Sequence, residues 1–152
     1  GNIIGDKLVM ENKGNLVIYK DGKEVWSSGT GGNNGAYLKV LNSGKVVIFS
    51  ADGNSILWQN GEKINVTVPT KSASITKKYG NIITPYSDGY PFGSCWISKY
   101  KLYCLLWNKA GFLGLYNTTT GKLIWQSNDV PSPPGDLEAG VALAENLIEQ
   151  QR

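Results

Sequence analysis

Short runs of apolar residues alternate with polar turns along most of the chain. The runs Asn15–Tyr19 and Lys45–Phe49 are rich in β-branched and aromatic residues and have the length of a strand. Asp21–Gly22 and Asp52–Gly53 follow them, and such pairs accept the positive φ that tight hairpin turns require. The pattern therefore predicts short antiparallel strands joined by tight turns.

This pattern occurs three times, over Lys7–Trp26, Tyr37–Trp58 and Tyr103–Trp125. Each copy places a glycine five residues before an aromatic residue, has a second turn glycine, and ends in an aliphatic residue followed by tryptophan. One such curved sheet cannot bury its inner face alone, whereas three sheets around a common axis can. We therefore predict that the tryptophans ending the three copies meet in a shared core.

Composition excludes several classes of function. The 152 residues include no histidine, two cysteines and a single arginine, Arg152, and the net charge is +3. Without histidine there is no Ser-His-Asp or Cys-His pair and no imidazole metal site, and two cysteines cannot build a tetrathiolate zinc site. Direct reading of DNA bases depends heavily on arginine, so nucleic acid is not an expected partner. We predict a non-catalytic protein, not an enzyme, that needs no metal or other cofactor.

The most specific segments are GNLVIY, Gly14–Tyr19, and VWSSGT, Val25–Thr30. With the repeats, they make the chain similar to the bulb-type (monocot mannose-binding) lectin domain over about Lys7–Asn60 and Tyr103–Asn128. The resemblance implies an all-β fold, a β-prism II of three antiparallel subdomains in a pseudo-threefold arrangement. It also implies a metal-independent carbohydrate-binding lectin, of mannose type or of altered glycan specificity, whose partners are glycans or glycoproteins.

The family's sugar site reads Gln-x-Asp-x-Asn-x-Val-x-Tyr, and alternate residues of a strand face one shallow groove. The resemblance implies that the polar residues bond sugar hydroxyls while Val packs on the ring carbons. The first repeat carries Glu11, Lys13, Asn15, Val17 and Tyr19 at these positions. Glu11 keeps an acceptor but loses the amide donor, and Lys13 replaces an acceptor by a donor. Glu11 and Lys13 can also pair with each other, which would leave the groove polar.

The other two repeats depart further from the motif. The second keeps only Val47, whereas the third keeps Tyr116 and has Asn108 where the family has glutamine. The first repeat is therefore the best candidate for a surviving site. The predicted carbohydrate-binding residues belong to the first and third repeats: Glu11, Lys13, Asn15, Val17, Tyr19, Asn108 and Tyr116.

The degraded motifs leave a second interpretation open, a structural or protein-interaction module that keeps the lectin-like fold and has lost sugar binding. Its contact surface would be a helix at the C-terminal end of the chain or a loop-rich insertion at about 62–94, in which Ile64, Val66 and Val68 predict one strand. The aromatic rings of this insertion can instead cover the open end of the third subdomain. Those rings are Tyr79, Tyr86, Tyr90 and Phe92.

Two features bear on the compartment. Cys95 and Cys104 can form a disulfide if the residues between them fold back as a hairpin, and cannot if they run as one strand. Asn65 and Asn117 each begin an Asn-x-Thr triplet, the acceptor sequence for N-glycosylation. Together they favour a secreted, extracellular glycoprotein.

The prism is expected to occupy residues 1–130, followed by a proline-rich linker and a helix in 131–152. Asp136 is a suitable N-cap, and apolar residues recur at helical spacing up to Gln151, which predicts an amphipathic C-terminal helix. This helix would dock on the prism or on a second subunit. The family commonly exchanges strands, so a homodimer or higher homo-oligomer is expected. No apolar run is long enough for membrane insertion.

Overall fold

The computed structural model of the chain describes residues 5–61 and 75–127, and all regular structure there is β-strand. The strands in chain order are β1 (Lys7–Met10), β2 (Leu16–Lys20), β3 (Lys23–Ser27), β4 (Tyr37–Val40), β5 (Val46–Phe49), β6 (Ile56–Gln59), β7 (Lys77–Tyr79), β8 (Ile82–Ile83), β9 (Tyr86–Tyr90), β10 (Ser94–Ile97), β11 (Tyr103–Asn108), β12 (Phe112–Asn117) and β13 (Leu123–Gln126).

Each sequence repeat folds as a three-stranded antiparallel meander. The first sheet has the order β3-β2-β1-β9, the second β6-β5-β4-β8, and the third β13-β12-β11-β10-β7. Equivalent residues occupy equivalent places, because Leu8 lies opposite Ile18 in the first sheet and Leu38 lies opposite Ile48 in the second. The three sheets form the all-β, β-prism II arrangement with pseudo-threefold symmetry that the sequence predicts.

The prediction of a loop-rich insertion at 62–94 was wrong for the residues from 77 onward. β7, β8 and β9 each join a different sheet: β9 pairs with β1, β8 with β4, and β7 runs parallel to β10. These strands are short and are held by backbone hydrogen bonds to a neighbouring strand. Their sequences therefore lack the alternation of apolar and polar residues that identifies a strand. Pro85 and Pro91 lie between the strands rather than inside them.

The three tryptophans that end the repeats meet at the centre, as predicted. The ring centroids of Trp26 and Trp58 are 5.9 Å apart, those of Trp26 and Trp125 6.2 Å, and those of Trp58 and Trp125 5.6 Å, all with edge-on geometry. Inward-facing side chains of all three sheets surround them. Burial of one such aliphatic side chain stabilises the fold by about 1.5–3 kcal/mol. The buried set includes Leu8, Met10, Leu16, Ile18, Leu38, Ile48, Leu105 and Leu115.

A second threefold feature, which sequence reasoning missed, lies two residues after each tryptophan. A polar side chain there accepts a hydrogen bond from a backbone N–H at the start of the middle strand of its sheet. The bonds are Leu16 N to Ser28 Oγ at 3.1 Å, Val46 N to Asn60 Oδ1 at 2.8 Å, and Leu113 N to Ser127 Oγ at 3.0 Å. Each hydrogen bond joins the residues that follow the last strand of a repeat to the middle strand of the same repeat, which holds the edge of the sheet in place.

Cys95 and Cys104 form a disulfide, with a Cα–Cα distance of 6.1 Å. The intervening residues fold back as a hairpin, because β10 and β11 are antiparallel neighbours with Ile97 opposite Cys104. The disulfide belongs to a second hydrophobic cluster on the outward face of the third sheet, with Ile97, Leu106 and Tyr116.

Several predictions fall on residues that the structure does not describe. These are the strand at 64–68, the sequon at Asn65, and the linker and helix of 131–152. Asn117 is described, and it is the half-buried last residue of β12. In the described ranges, no helix is long and apolar enough to span a bilayer.

Candidate functional site

The motif of the first repeat lies on the outward face of the first sheet, but the prediction that it follows a single strand was wrong, because Glu11 and Lys13 lie in the turn between β1 and β2. Val17 and Tyr19 alternate along β2 with inward-facing Ile18, so both point away from the central core. Asn15 immediately precedes β2, and its carbonyl oxygen accepts the backbone N–H of Glu11 at 2.9 Å. This pairing places Glu11 and Asn15 opposite each other on the side of the sheet that Tyr19 faces.

Glu11 is the centre of a polar network at this face. The hydroxyl of Tyr19 donates to Oε2 of Glu11 at 2.6 Å, and Nζ of Lys13 lies 3.7 Å from Oε1. The hydrogen bond to Glu11 is the main cause that raises the pKa of Tyr19 to about 12, with partial burial and the Glu24 carboxylate adding to it. The side chain of Lys13 is 62% exposed and that of Glu11 22%, so a ligand can reach the network. The possible pairing of Glu11 with Lys13 is confirmed.

Asn15 is held more tightly than its neighbours. It is 9% exposed, and its Oδ1 accepts hydrogen bonds from Ser28 Oγ and Thr30 N, both at 3.1 Å. Thr30 Oγ1 in turn donates to the carbonyl of Gly14 at 2.5 Å. Sequence reasoning missed the role of Ser28 and Thr30, although both lie in the specific segment Val25–Thr30. The Nδ2 of Asn15 makes no hydrogen bond within the described residues, so it can donate to a ligand.

Val17 is the motif residue least available to a ligand. Its side chain is 0% exposed, although it points to the outward face. In this conformation it therefore presents no surface to a sugar ring.

The third repeat places its predicted residues together but buries them. Asn108 is 1% exposed and Tyr116 0%, and Nδ2 of Asn108 lies 3.2 Å from the Tyr116 hydroxyl, to which it donates. Oδ1 of Asn108 accepts the N–H of Ala110 at 2.8 Å. Tyr116 also belongs to the second hydrophobic cluster beside the disulfide. Asn108 and Tyr116 are thus inaccessible to a ligand in this conformation, and their part in sugar binding stays a prediction.

The second repeat has no polar network at the equivalent place. Phe49 takes the position of Tyr19 and has no hydroxyl, and its ring lies against Tyr37 with centroids 5.7 Å apart. Val47 is 2% exposed. This is consistent with the sequence, in which the second repeat keeps only Val47 of the motif.

The aromatic residues of 79–92 serve both as packing and as surface. Tyr79 stacks on Trp96 at 5.1 Å, and Tyr90 meets Trp96 edge-on at 4.8 Å, so both rings cover the core. Burial raises the pKa of Tyr90 to about 12, with the nearby Tyr79 and Tyr86 hydroxyls adding to the shift. Tyr86 is 44% exposed and lines a cleft. Phe92 is 37% exposed, and its ring stacks on that of Trp107.

The polar network of the first sheet offers a mixed set of donors and acceptors. Lys13 and Asn15 Nδ2 can donate, the Glu11 carboxylate can accept, and the Tyr19 oxygen can accept while its proton is held by Glu11. Among residues 5–61 and 75–127, no three side chains form a cluster that could hold a metal ion. The arrangement suits neutral hydroxyl groups, which both donate and accept.

Comparison with known proteins bears on the resemblance found in the sequence. No protein-family profile matches the chain. The G-type lectin S-receptor-like serine/threonine-protein kinase SD2-5 of Arabidopsis thaliana is 24% identical over 143 residues, which are 94% of this chain and 16% of that protein. The chain thus spans a small part of the length of this relative. The resemblance to a bulb-type lectin domain is confirmed by this match.

Two solved structures are also similar to this chain. A monomeric monocot mannose-binding lectin from Gastrodia elata has 22% identity and a TM-score of 0.49, over 82% of this chain and 80% of that one. The Polygonatum cyrtonema lectin complexed with monomannoside has 20% identity and a TM-score of 0.43, over 85% of this chain and 84% of that one.

Proposed function

Because the chain resembles bulb-type lectin domains along most of its length, we propose that it is a non-catalytic, metal-independent carbohydrate-binding domain. Its site is the outward groove of the first sheet, formed by Glu11, Lys13, Asn15 and Tyr19. The observation that carries this assignment is the solvent-accessible hydrogen bond of Tyr19 to Glu11, with Lys13 beside it. Neighbouring hydroxyls of a pyranose ring can accept from Lys13 and donate to Glu11.

The same residues favour an altered specificity rather than the usual mannose contacts. Lys13 stands where the family has an acceptor, so a sugar hydroxyl that donated there must now accept. Val17 is buried and offers the sugar ring no apolar contact. A shallow groove of this kind binds weakly, and repeated sites on an oligomer would supply avidity. A homodimer or higher homo-oligomer is therefore part of the proposal.

The disulfide supports a further part of the proposal, that the protein is secreted. A bridge between Cys95 and Cys104 persists in an oxidising compartment and is rare in the cytosol. N-glycosylation at Asn117 fits such a compartment, and mass spectrometry of protein secreted from eukaryotic cells would detect it.

A glycan-array screen followed by two substitutions tests the site. Tyr19→Phe removes the hydroxyl and keeps the ring, and Lys13→Ala removes the ammonium of an exposed side chain. We expect each to weaken binding of the strongest array ligand by about tenfold, since each removes one hydrogen bond to a charged or polarised group. Tyr37→Phe is the matched control on the second sheet and should bind as the unmodified protein does.

Binding that survives both Tyr19→Phe and Lys13→Ala would place the sugar site elsewhere. A folded protein that binds no glycan would favour the second function, a protein-interaction module on the lectin-like fold. Two observations support that function. The side-chain oxygens of Asn15 and Asn108 accept hydrogen bonds from the protein's own backbone, which occupies them, and the ring of Tyr86 is exposed for contact with a partner.

A further inference from the structure

A cleft of about 370 Å³ lies between β7 and the turn that joins β10 to β11. Lys78 lines it from β7, and Lys99 and Lys101 line it from the turn. Asn81 and Ser98 also line it, although the Ser98 side chain is buried and its hydroxyl oxygen accepts the N–H groups of Leu102 and Tyr103, both at 3.1 Å. None of these residues belongs to the groove of the first sheet.

The positive charge of this cleft is not balanced by the described residues around it. All three charged residues of its lining are lysines, and the one salt bridge within residues 5–61 and 75–127 joins Lys13 to Glu11 elsewhere. Burial lowers the pKa of Lys78, because desolvation disfavours the ammonium form. The three lysines that line one cleft also repel each other, and the Lys99 ammonium lies over the Tyr100 ring, 5.7 Å from its centroid. A bound anion would offset both the repulsion and the desolvation.

Lys101 has a backbone conformation that is unfavourable for a lysine. Its φ is 64°, in the left-handed region that glycine adopts most easily, and its N–H closes the turn by donating to the Ser98 carbonyl at 2.8 Å. Glycine at this place would relieve the strain but would supply no charge. The turn thus keeps a cation at the cleft at a position where glycine would be less strained.

We propose that this lysine cleft binds an acidic saccharide through its sulfate or carboxylate group. The saccharide class rests on the proposed carbohydrate-binding function, whereas the anion preference rests on the three lysines. Asn81 can bond ring hydroxyls, and Tyr79, which stacks on Trp96, also lines the cleft. Nucleic acid is the weaker match, because a phosphate backbone is usually tracked by a longer basic stripe.

Binding of a sulfated heparin hexasaccharide, measured by titration calorimetry at low salt, tests this proposal. We expect Lys101→Gly to weaken binding by about tenfold, since it removes a charge-assisted contact. Its melting temperature should equal or exceed that of the unmodified protein, so lost binding cannot reflect unfolding. Lys78→Ala should give a similar loss. The chemically desulfated hexasaccharide should bind more weakly, and a hyaluronan hexasaccharide, which carries carboxylates alone, distinguishes the two acidic groups.

Lys23→Ala is the matched control, because it removes an exposed lysine at the start of β3, outside the cleft. Unchanged binding in this variant supports a defined site, and an equal loss would overturn it in favour of general charge attraction. Unimpaired binding by both Lys101→Gly and Lys78→Ala would also overturn the proposal. Single-stranded DNA of equal charge that bound more tightly would overturn the saccharide assignment. Tyr19→Phe should keep heparin binding, which separates this site from the first-sheet groove.

Discussion

The first and third sheets carry the same tyrosine at the same strand position, yet they use it differently. In the first sheet Tyr19 bonds Glu11, eight residues before it, at a face open to solvent. In the third sheet Tyr116 bonds Asn108, also eight residues before it, where both side chains are 1% exposed or less. The same pair of positions is therefore hydrogen-bonded in both sheets, but the tyrosine hydroxyl donates at the accessible face of the first sheet and accepts in the packed interior of the third.

The neighbouring strand explains this difference. β9, next to β1 in the first sheet, is mostly exposed, whereas β10, next to β11 in the third, is buried along its whole length. β10 also brings Cys95 and Ile97 to the outward face, where they pack with Tyr116. Glu11 and Tyr19 thus stay partly exposed beside β9, whereas Tyr116 is buried beside β10.

The largest expected effect is the difference in free energy of unfolding between alanine variants of the two tyrosines. Tyr116→Ala should lower the free energy of unfolding by about 3–5 kcal/mol, because it leaves a cavity among fully buried side chains. Tyr19→Ala should cost about 1 kcal/mol, because it removes a partly exposed ring and one hydrogen bond. Urea denaturation of both variants measures the two losses. Equal losses would mean that the first-sheet face is as tightly packed as the third.

The next effect concerns the disulfide, which is confined to the third sheet. Replacing Cys95 and Cys104 together by alanine should lower the free energy of unfolding by about 2–4 kcal/mol, mainly by freeing the unfolded chain. Glycan binding by the folded double variant should be unchanged, because the bridge lies outside the first sheet. A binding loss that matched the stability loss would contradict the separation of the two faces.

The smallest effect is the pH dependence of the Tyr19–Glu11 bond. The pKa of Tyr19 is raised from 10.0 to about 12 by folding, so the stability it contributes is complete below pH 10 and is lost as the pH rises through about 12. The stability difference between the unmodified protein and Tyr19→Phe should therefore shrink over that range in urea titrations. The pKa of Tyr90 is also raised to about 12, but Tyr90 is present in both proteins, so its contribution drops out of the stability difference. A constant difference would mean that Glu11 does not hold the proton.

Much of the fold could be predicted because the repeats encode it locally. Each copy contains its own turns and ends in a tryptophan, and three such units leave few ways to bury Trp26, Trp58 and Trp125. The short strands β7, β8 and β9 could not be predicted in this way. Each has two to five residues and depends on a distant partner strand, so it leaves no periodic pattern in the sequence.

The candidate site could be predicted only in part. Strand alternation alone does not place Glu11 near Tyr19, because residues 11–14 form the turn between β1 and β2. The antiparallel pairing of β1 with β2 brings these two side chains together, and the pairing of β11 with β12 does the same for Asn108 and Tyr116. Exposure depends on packing from outside the motif, and neither the burial of Asn108 nor that of Val17 is encoded in the motif residues. The three lysines of the cleft come from two segments that only the paired β7 and β10 bring together.

The contrast between the two faces is tested most directly by amide chemical shifts. The isotopically labelled protein would be titrated with the strongest ligand from the glycan array. We expect the largest shifts at Glu11, Lys13 and Tyr19, with Asn108 and Tyr116 unchanged. Shifts that cluster around Tyr116 and leave the first sheet unaffected would contradict the assignment of the site.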